Sequence, residues 1–197
     1  SWRYASPEMR RVWSEDNKRL LWRRIWVVLA RVQSAYGLTT AEQVSDLELH
    51  ATQVDIPRAL EIEAEIHHDL MAEIKTFAEQ CPVGGGIIHL GATSMDIEDN
   101  ADALRIRQAL DILLLRLKDL LLDFADCIDA TAALPVIAFT HLQPAEPTTL
   151  GYRMAFYAQD LHEDWHVLTA LRVNLRGKGF KGAVGTAAAY ADLIGLE

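Results

Sequence analysis

Apolar residues recur three or four positions apart along most of the chain, which is the spacing of one face of an α-helix. Over residues 7–36 the pattern follows Ser6, a residue type that caps helices, and it ends at Gly37. A helical region is therefore predicted there. The same spacing predicts a further helix over about residues 57–79, and this helix carries the polar motif His67–Asp69.

The longest apolar stripe has the heptad spacing of helices that pack in a bundle. It predicts a helix from about residue 99 to residue 131, and at 1.5 Å per residue that helix would be roughly 50 Å long. A second stripe of this kind begins near residues 147–149 and ends at Gly177. Between the two, residues 134–143 are interrupted by proline and predict a short extended connection. The apolar positions of the first stripe are Ile106, Leu110, Leu113, Leu117, Leu120, Phe124 and Cys127.

These elements predict an all-α protein that consists of an N-terminal helical domain and the first long helices of a helical bundle. The chain is broken most clearly at Cys81–Pro82 and Gly84–Gly86, where proline and glycine interrupt the helical pattern. We therefore expect an N-terminal domain over residues 1–92 and a partial bundle domain over residues 93–197.

Composition and charge exclude several classes of protein. The 197 residues are 50% hydrophobic and 24% charged, which is typical of a folded protein, and the formal net charge of −9 argues against binding of nucleic acid. The most apolar stretch, Leu110–Leu122, contains four charged residues and does not resemble a membrane span. The N-terminus shows no signal-peptide pattern, and two distant cysteines suggest no disulfide scaffold. The simplest interpretation is a cytoplasmic protein.

His162–His166 reads His-Glu-Asp-Trp-His, a literal match to the zinc-peptidase motif on a predicted helix. Two histidines four positions apart lie on one helix face, where they could share a zinc ion. A third ligand is needed, however, and no histidine follows His166. The two histidines are also compatible with positions that flank the bundle core. A zinc metallopeptidase remains an alternative, and we expect no metal.

Residues 177–182 match the Gly-x-Gly-x-x-Gly pattern of dinucleotide-binding sites. That fingerprint must follow a strand and open a helix, whereas here a long predicted helix precedes it. A flexible loop with a closely approached backbone is the better interpretation of Gly182–Thr186.

Three segments combine a reactive polar group with a turn or a helix start: His68–Asp69, His89–Ser94 and Thr140–Ala145. Taken singly, they are explained as a surface pair, a helix cap and a proline turn. Their order along the chain, with both bundle helices preceded by such a segment, points instead to chemistry. Histidine suits proton transfer because its reference pKa of about 6.5 lies near neutrality.

With these motifs the sequence resembles the adenylosuccinate lyase family of the fumarase/aspartase superfamily. The resemblance covers nearly the whole chain, and its motifs occur in the family's order. They are Arg3–Met9, His68–Asp69, Ile87–Ser94, Asp99–Asn100, Thr140–Thr149 and Gly182–Thr186.

The resemblance implies a carbon–nitrogen lyase that works by β-elimination without metal or organic cofactor. It implies cleavage of adenylosuccinate to AMP and fumarate, and of the succinyl-carboxamide ribotide to its amide and fumarate, both in the biosynthesis of purines by way of IMP and AMP. The implied partners are a small purine nucleotide and further copies of the chain. Members of the family form homotetramers whose active sites combine residues from three subunits.

Carried over by motif, the resemblance implies specific residue roles. His141 would be the general acid that protonates the leaving nitrogen, and His68 would hold and orient the substrate. Thr93 and Ser94 would bind a succinyl carboxylate through their hydroxyls and the helix-start amides. Arg3 and Tyr4 would contact the nucleotide phosphate. The further candidates for substrate binding are His67, Asp69, His89 and Gln143.

Two departures from the family pattern change these expectations. His67 stands where the family has arginine, so a phosphate contact is expected to be lost or to depend on pH. The family's Ser-Ser-x-Met-Pro loop, whose serine is the base, does not occur in the sequence. We therefore expect the N-terminal part of a lyase, inactive alone and prone to self-association through its apolar stripes. A non-catalytic helical interaction module is the remaining alternative.

Overall fold

The computed structural model describes residues 3–195. The chain divides into two compact units: a first unit up to Ile106 that also contains the segment from Arg176 onward, and a second unit over Arg107–Leu175. Helices dominate both units, which confirms the predicted all-α class. The predicted domain boundary between residues 92 and 93 remains a prediction.

The first unit is built from short and medium helices, most of them capped as their sequences require. Ser6, Ser14 and Asp55 each accept a hydrogen bond from a first-turn N–H, while Thr40 and Gln43 form a reciprocal capping box. The helices are α1 (Pro7–Val12), α2 (Glu15–Ala35), α3 (Ala41–His50), α4 (Ile56–Ile66), α5 (Asp69–Gln80), the start of α6 (Ser94–Thr131) and, near the chain end, α8 (Ala188–Ile194), with a 3-10 turn at Gly85–Ile87.

The core of the first unit lies where α2, α3 and α5 meet. The Trp26 and Phe77 rings stack with their centroids 6.3 Å apart, and Leu47 and Leu70 are fully buried beside the same cluster. Burial of large apolar side chains is the main stabilising contribution to folding, worth about 1.5–3 kcal/mol per side chain. These buried side chains hold α2, α3 and α5 together, whereas Val28 and Val32, which share the apolar spacing of α2, are about half exposed.

The prediction of a single helix over residues 57–79 is wrong, because two helices occupy this stretch. α4 ends at Ile66, His67 follows in the left-handed region with φ 55°, and His68 is the N-cap of α5. Neither glycine nor proline marks this break, so apolar spacing alone does not reveal it. The motif at residues 67–69 thus lies at a junction between helices and not within one.

The second unit consists of two long helices and a hairpin between them. α6 runs through to Thr131, and α7 covers Leu150–Asn174. Residues 134–143, predicted as an extended connection, belong to an antiparallel β-hairpin with strands β1 (Pro135–Thr140) and β2 (Gln143–Thr149). β-branched residues in β1 favour a strand; Pro135 is the first residue of β1, and Pro144 and Pro147 lie in β2.

The two long helices lie close together at the hairpin end. A Cβ placed on Gly151 would be 2.7 Å from the carbonyl oxygen of Ile128, so only glycine allows this approach. Nearer the other end, the Arg172 guanidinium donates to both oxygens of Asp111, at 2.6 and 3.1 Å. These contacts hold α6 and α7 side by side within the second unit.

The heptad stripe of α6 is only half covered. Leu110 and Leu117 are buried, whereas Leu113 and Leu120 remain more than 40% exposed. The stripe therefore presents apolar surface that α7 does not fill.

Among residues 3–195, no helix combines the length and the apolar character that a membrane crossing requires.

Candidate active site

His89 occupies a constrained position in the first unit. Its backbone has φ 70°, and its Nδ1 accepts a hydrogen bond of 3.1 Å from the indole Nε1 of Trp26. Burial lowers the pKa of His89; the charge of His68 lowers it further, and Asp96 opposes the shift. Because Nδ1 is the acceptor, the neutral ring carries its proton on Nε2. His89 thus offers one N–H donor and no positive charge.

His68 and Asp69 cap α5 together. His68 Nδ1 accepts the Met71 N–H at 3.3 Å, and Asp69 Oδ1 accepts the Leu70 N–H at 2.8 Å. Both side chains are close to half exposed. With Nδ1 engaged, the neutral His68 ring also carries its proton on Nε2, so that this nitrogen faces any ligand as a donor.

Glu98 is a residue of this region that the sequence analysis missed. Burial raises the pKa of Glu98; the charge of Asp69 raises it further, while His68 and Lys18 act in the opposite direction. The carboxyl group is therefore within electrostatic reach of the His68–Asp69 pair. A signal was present, since Glu98 follows Ser94 by four positions and so shares a helix face with it.

Thr93 and Ser94 form the start of α6. Ser94 is the first helical residue, and Thr93 accepts the Asp96 N–H on its carbonyl at 2.9 Å. Both residues are partly buried. The N-terminus of a helix carries partial positive charge and backbone N–H donors, which favours a bound anion.

Asp96 is fully buried, and its carboxylate accepts four hydrogen bonds. Oδ1 accepts the Lys181 N–H at 3.0 Å. Oδ2 accepts the Gly182 N–H and the Tyr190 hydroxyl, each at 3.0 Å, and the Thr93 N–H at 3.3 Å. Burial acts to raise the pKa of Asp96, but these donors act against it and the pKa lies below its ordinary value. Asp96 is therefore an ionised group inside the first unit.

Asn100, one turn further along α6, holds the same loop at a second point. Its Nδ2 donates to the carbonyl of Gly179 at 3.0 Å, and its Oδ1 accepts the Gly179 N–H at 3.1 Å. Lys178 Nζ lies 3.4 Å from Asp99 Oδ2. We call residues 177–187 the glycine loop. As predicted, it is no dinucleotide fingerprint, since it follows a helix and lacks the required strand.

His141 and Gln143 lie in the second unit, at the tip of the β-hairpin. His141 has φ 48° and Leu142 has φ 63°, so the two-residue turn requires the left-handed conformation twice. Such turns are normally built from Asn-Gly or similar pairs. His141 is exposed, and Leu142 is 93% exposed. An exposed histidine is thus presented at a strained turn.

The other predicted contacts lie near the start of the chain or at the helix junction. Arg3 and Tyr4 precede α1 and are exposed, Tyr4 by 70%. His67 is also exposed. Their roles toward a phosphate stay predictions. The first unit thus gathers His68, Asp69, His89, Thr93, Ser94 and Glu98, whereas His141 and Gln143 belong to the second.

Two sets of side chains have donor types that suit a metal. His162 and His166 are exposed on α7 with their Nε2 atoms 3.2 Å apart. Among residues 3–195, Asp46, His50 and Cys81 form the group of three whose donor atoms lie within 4.8 Å.

The group at Asp46 already has a structural role. Asp46 Oδ2 accepts the N–H groups of Val83 and Gly84 at 2.9 and 2.8 Å. Burial raises the pKa of Cys81 to about 12, which keeps sulfur as the thiol. These bonds tie α3 to the turn after α5.

Comparisons with known proteins identify the family to which the chain belongs. A family profile described as "Lyase" matches residues 5–192, and the chain belongs to that lyase family. It is 42% identical to an adenylosuccinate lyase of Schistosoma mansoni, over 98% of this chain and 40% of that protein. It is 40% identical to the adenylosuccinate lyase of Saccharomyces cerevisiae, over 98% of this chain and 41% of that protein. The family resemblance inferred from the motifs is thereby confirmed.

A solved structure supports the same conclusion for the fold. The crystal structure of 3-carboxy-cis,cis-muconate lactonizing enzyme from Pseudomonas putida matches with a TM-score of 0.88 and 26% identity, over 98% of this chain and 48% of that one. The chain spans about two fifths of the length of the curated relatives that it matches.

Proposed function

We propose that this chain supplies the general acid and part of the substrate site of an adenylosuccinate lyase. The reaction would be a β-elimination that releases fumarate from adenylosuccinate to give AMP, and from the succinyl-carboxamide ribotide to give its amide. The names of the two relatives at 40% and 42% identity support this substrate class. The substrate would be a small purine nucleotide, and no metal or organic cofactor takes part.

The observation that carries the proposal is the setting of His141. The two-residue turn requires the left-handed backbone of His141, and the imidazole that it carries is exposed to solvent instead of packed into a core. Strained backbone of this kind concentrates at functional sites. Presented at a hairpin tip, the imidazole can protonate the leaving nitrogen as the C–N bond breaks, and it regains the proton from solvent.

The first unit would hold the succinyl and nucleotide parts. Thr93 and Ser94 would bind a carboxylate at the start of α6, where backbone N–H groups favour negative charge. His68 and His89 both present Nε2–H as a donor, which suits the oxygen atoms of a carboxylate or a phosphate. Stabilisation of the developing aci-carboxylate by such fixed donors lowers the barrier to proton removal.

Turnover would belong to a protein of the family's length. By resemblance the catalytic base is a serine in a Ser-Ser-x-Met-Pro loop, and this sequence does not contain one. We therefore expect the 197-residue chain alone to release no fumarate. The same proposal includes a cytoplasmic homotetramer, and it takes residues 1–92 as a separate domain before the bundle. The half-covered apolar stripe of α6 supports the association of copies.

The test is kinetic and uses the protein expressed from the whole reading frame that encodes this chain. His141→Ala is expected to lower kcat for adenylosuccinate by about 10²–10⁴-fold with little change in KM, which is typical of loss of a general acid. The control His162→Ala removes another exposed histidine, on α7, and should leave kcat unchanged. A wild-type protein without fumarate release would contradict the function, and an active His141→Ala variant would contradict the role of His141.

The zinc alternative makes different predictions, which a casein-hydrolysis assay of the same proteins tests. A metallopeptidase would lose casein hydrolysis with a chelator and in the His162→Ala variant, and it would not cleave adenylosuccinate.

A further inference from the structure

Asp96 is placed where an acid is unfavourable for the proposed function. It lies in the first turn of α6, within three residues of Thr93 and Ser94, at the helix end that is proposed to bind a carboxylate. A second negative charge at this point opposes the binding of an anion. Its presence therefore calls for a compensating role.

The hydrogen bonds of Asp96 show how its charge is used. A carboxylate has about four acceptor sites, and here four donors occupy them: three backbone N–H groups and one hydroxyl. Two of the donors, Lys181 and Gly182, belong to the glycine loop, and a third, Tyr190, belongs to α8. The carboxylate is saturated and fully buried, so it has no free lone pair for a ligand.

The glycine loop is held both by its own backbone and by side chains of α6. Gly179, Gly182 and Gly185 all have φ between 72° and 82°, and the Ala187 N–H donates to the Lys181 carbonyl at 2.7 Å within the loop. At its base the loop is tied to α6 by Asp96 and Asn100, while Val184 at its tip is 84% exposed. The loop is thus fixed at one end and open at the other.

We propose that Asp96 is a positioning residue that fixes the glycine loop against the Thr93–Ser94 helix start, so that the loop closes one side of the site for the substrate's dicarboxylate end. This inference rests on the proposed function of Thr93 and Ser94. Asp96 acts through the loop backbone and touches no substrate. Its effect is confined to recognition of the carboxylates, because the nucleotide end is assigned to other residues.

The experiment measures the two ends of the substrate separately, in the protein from the whole reading frame. Asp96→Asn keeps the size of the side chain but turns one acceptor into a donor that faces N–H groups. We expect fumarate to bind at least 10-fold more weakly and AMP to bind as before. For adenylosuccinate, KM should rise by a larger factor than that by which kcat falls. Hydrogen exchange of the Lys181 and Gly182 amides should accelerate about 10-fold or more.

The matched control is Asp102→Asn, which removes an exposed acid on the same helix that pairs with Arg105. It should change none of these quantities. If Asp96→Asn does not fold, Tyr190→Phe removes a single donor and is expected to weaken fumarate binding about two- to three-fold, again without effect on AMP.

Equal weakening of fumarate and AMP, or fast amide exchange without any loss of fumarate affinity, would show a purely structural role and overturn the inference. A wild-type protein that does not cleave adenylosuccinate would overturn the proposed function instead, and with it the inference. The two failures are distinguished by the wild-type rate.

Discussion

Arg23 donates from Nε to Glu73 Oε1 at 2.6 Å, and both side chains are completely buried. Arg19, also buried, donates to the other oxygen of Glu73 at 2.8 Å. Arg23 further donates from Nη1 to the carbonyls of His50 and Gln53. One carboxylate thus holds two cations of α2 against α5. Its removal takes away the counter-charge of Arg23 and the nearer one of Arg19, whose other acids, Glu15 and Glu63, lie 3.7 Å away.

Replacement of Glu73 should therefore be severely destabilising. Glu73→Ala is expected to lower the free energy of unfolding by about 3–5 kcal/mol, the range seen when one partner of a buried ion pair is removed. Urea denaturation followed by circular dichroism measures this loss. Glu79→Ala is the control, because Glu79 makes an equally short pair with Arg58 at the surface, where solvent screens the charges. Equal losses in the two variants would contradict this account of the buried cluster.

His89 should make stability depend on pH below neutrality. Its pKa is lowered in the folded state, whereas the unfolded value is about 6.5. The unfolded chain therefore binds the proton more readily than the folded one. The free energy of unfolding is unaffected by His89 above about pH 6.5, and it decreases as the pH falls from there toward the folded pKa. His89→Asn, which tolerates the positive φ, should reduce the difference in Tm between pH 7.5 and pH 5.5.

His67→Asn is the matched control for this measurement. His67 also has a positive φ, 55°, but its side chain is exposed. The variant should keep the pH dependence of the wild type. A His89→Asn variant with the same pH dependence as His67→Asn would disprove the assignment to His89.

Gly91 should tolerate a side chain less well than Gly37. Its φ is 74°, and a Cβ would lie 2.6 Å from Leu193 Cδ1 and 3.3 Å from the ring of Tyr190. Gly37 has φ 72° with open space around it. Gly37→Ala is expected to cost about 1–2 kcal/mol from backbone strain alone. Gly91→Ala should add about 1–3 kcal/mol for the crowding against α8. Similar unfolding free energies for the two variants would show that α8 does not pack there.

The two cysteines should differ sharply in reactivity. Cys81 is buried with a pKa raised to about 12, and Cys127 is exposed. Because the thiolate is the reactive form, a disulfide reagent should modify one thiol per native chain at pH 8 and two in guanidinium chloride. Cys127→Ser should leave no thiol that reacts quickly. Rapid native labelling of that variant would show that Cys81 is accessible.

The sequence predicted the long helices because apolar spacing persists over many turns, whereas no prediction covered the short helices α3 and α8. It located the start of α6 five residues too late, since Ser94–Glu98 is mostly polar and is stabilised by the glycine loop. It did not reveal the break at His67, which is set by a single left-handed residue. The β-hairpin was also missed, because its proline-rich second strand lacks the alternation that marks strands.

For the candidate site, the sequence identified the polar motifs but not how they are held. His89 was proposed as a contact, yet its constraint by Trp26 joins residues 63 positions apart. Asp96 and Glu98 were passed over since acids near a helix start have an ordinary explanation in the helix dipole. The roles of Asp96 and Glu98 depend on residues distant in the sequence, and the spacing of residues within one helix does not reveal which distant residues they contact.

The first unit is discontinuous along the chain, and this has a consequence during synthesis. Asp96 leaves the ribosome 85 residues before Lys181, its hydrogen-bond donor. At typical translation rates of about 5–20 residues per second, the interval is roughly 4–17 seconds. Throughout that time the nascent carboxylate lacks its donors from the glycine loop and α8, so the first unit completes its folding only after this segment has been made.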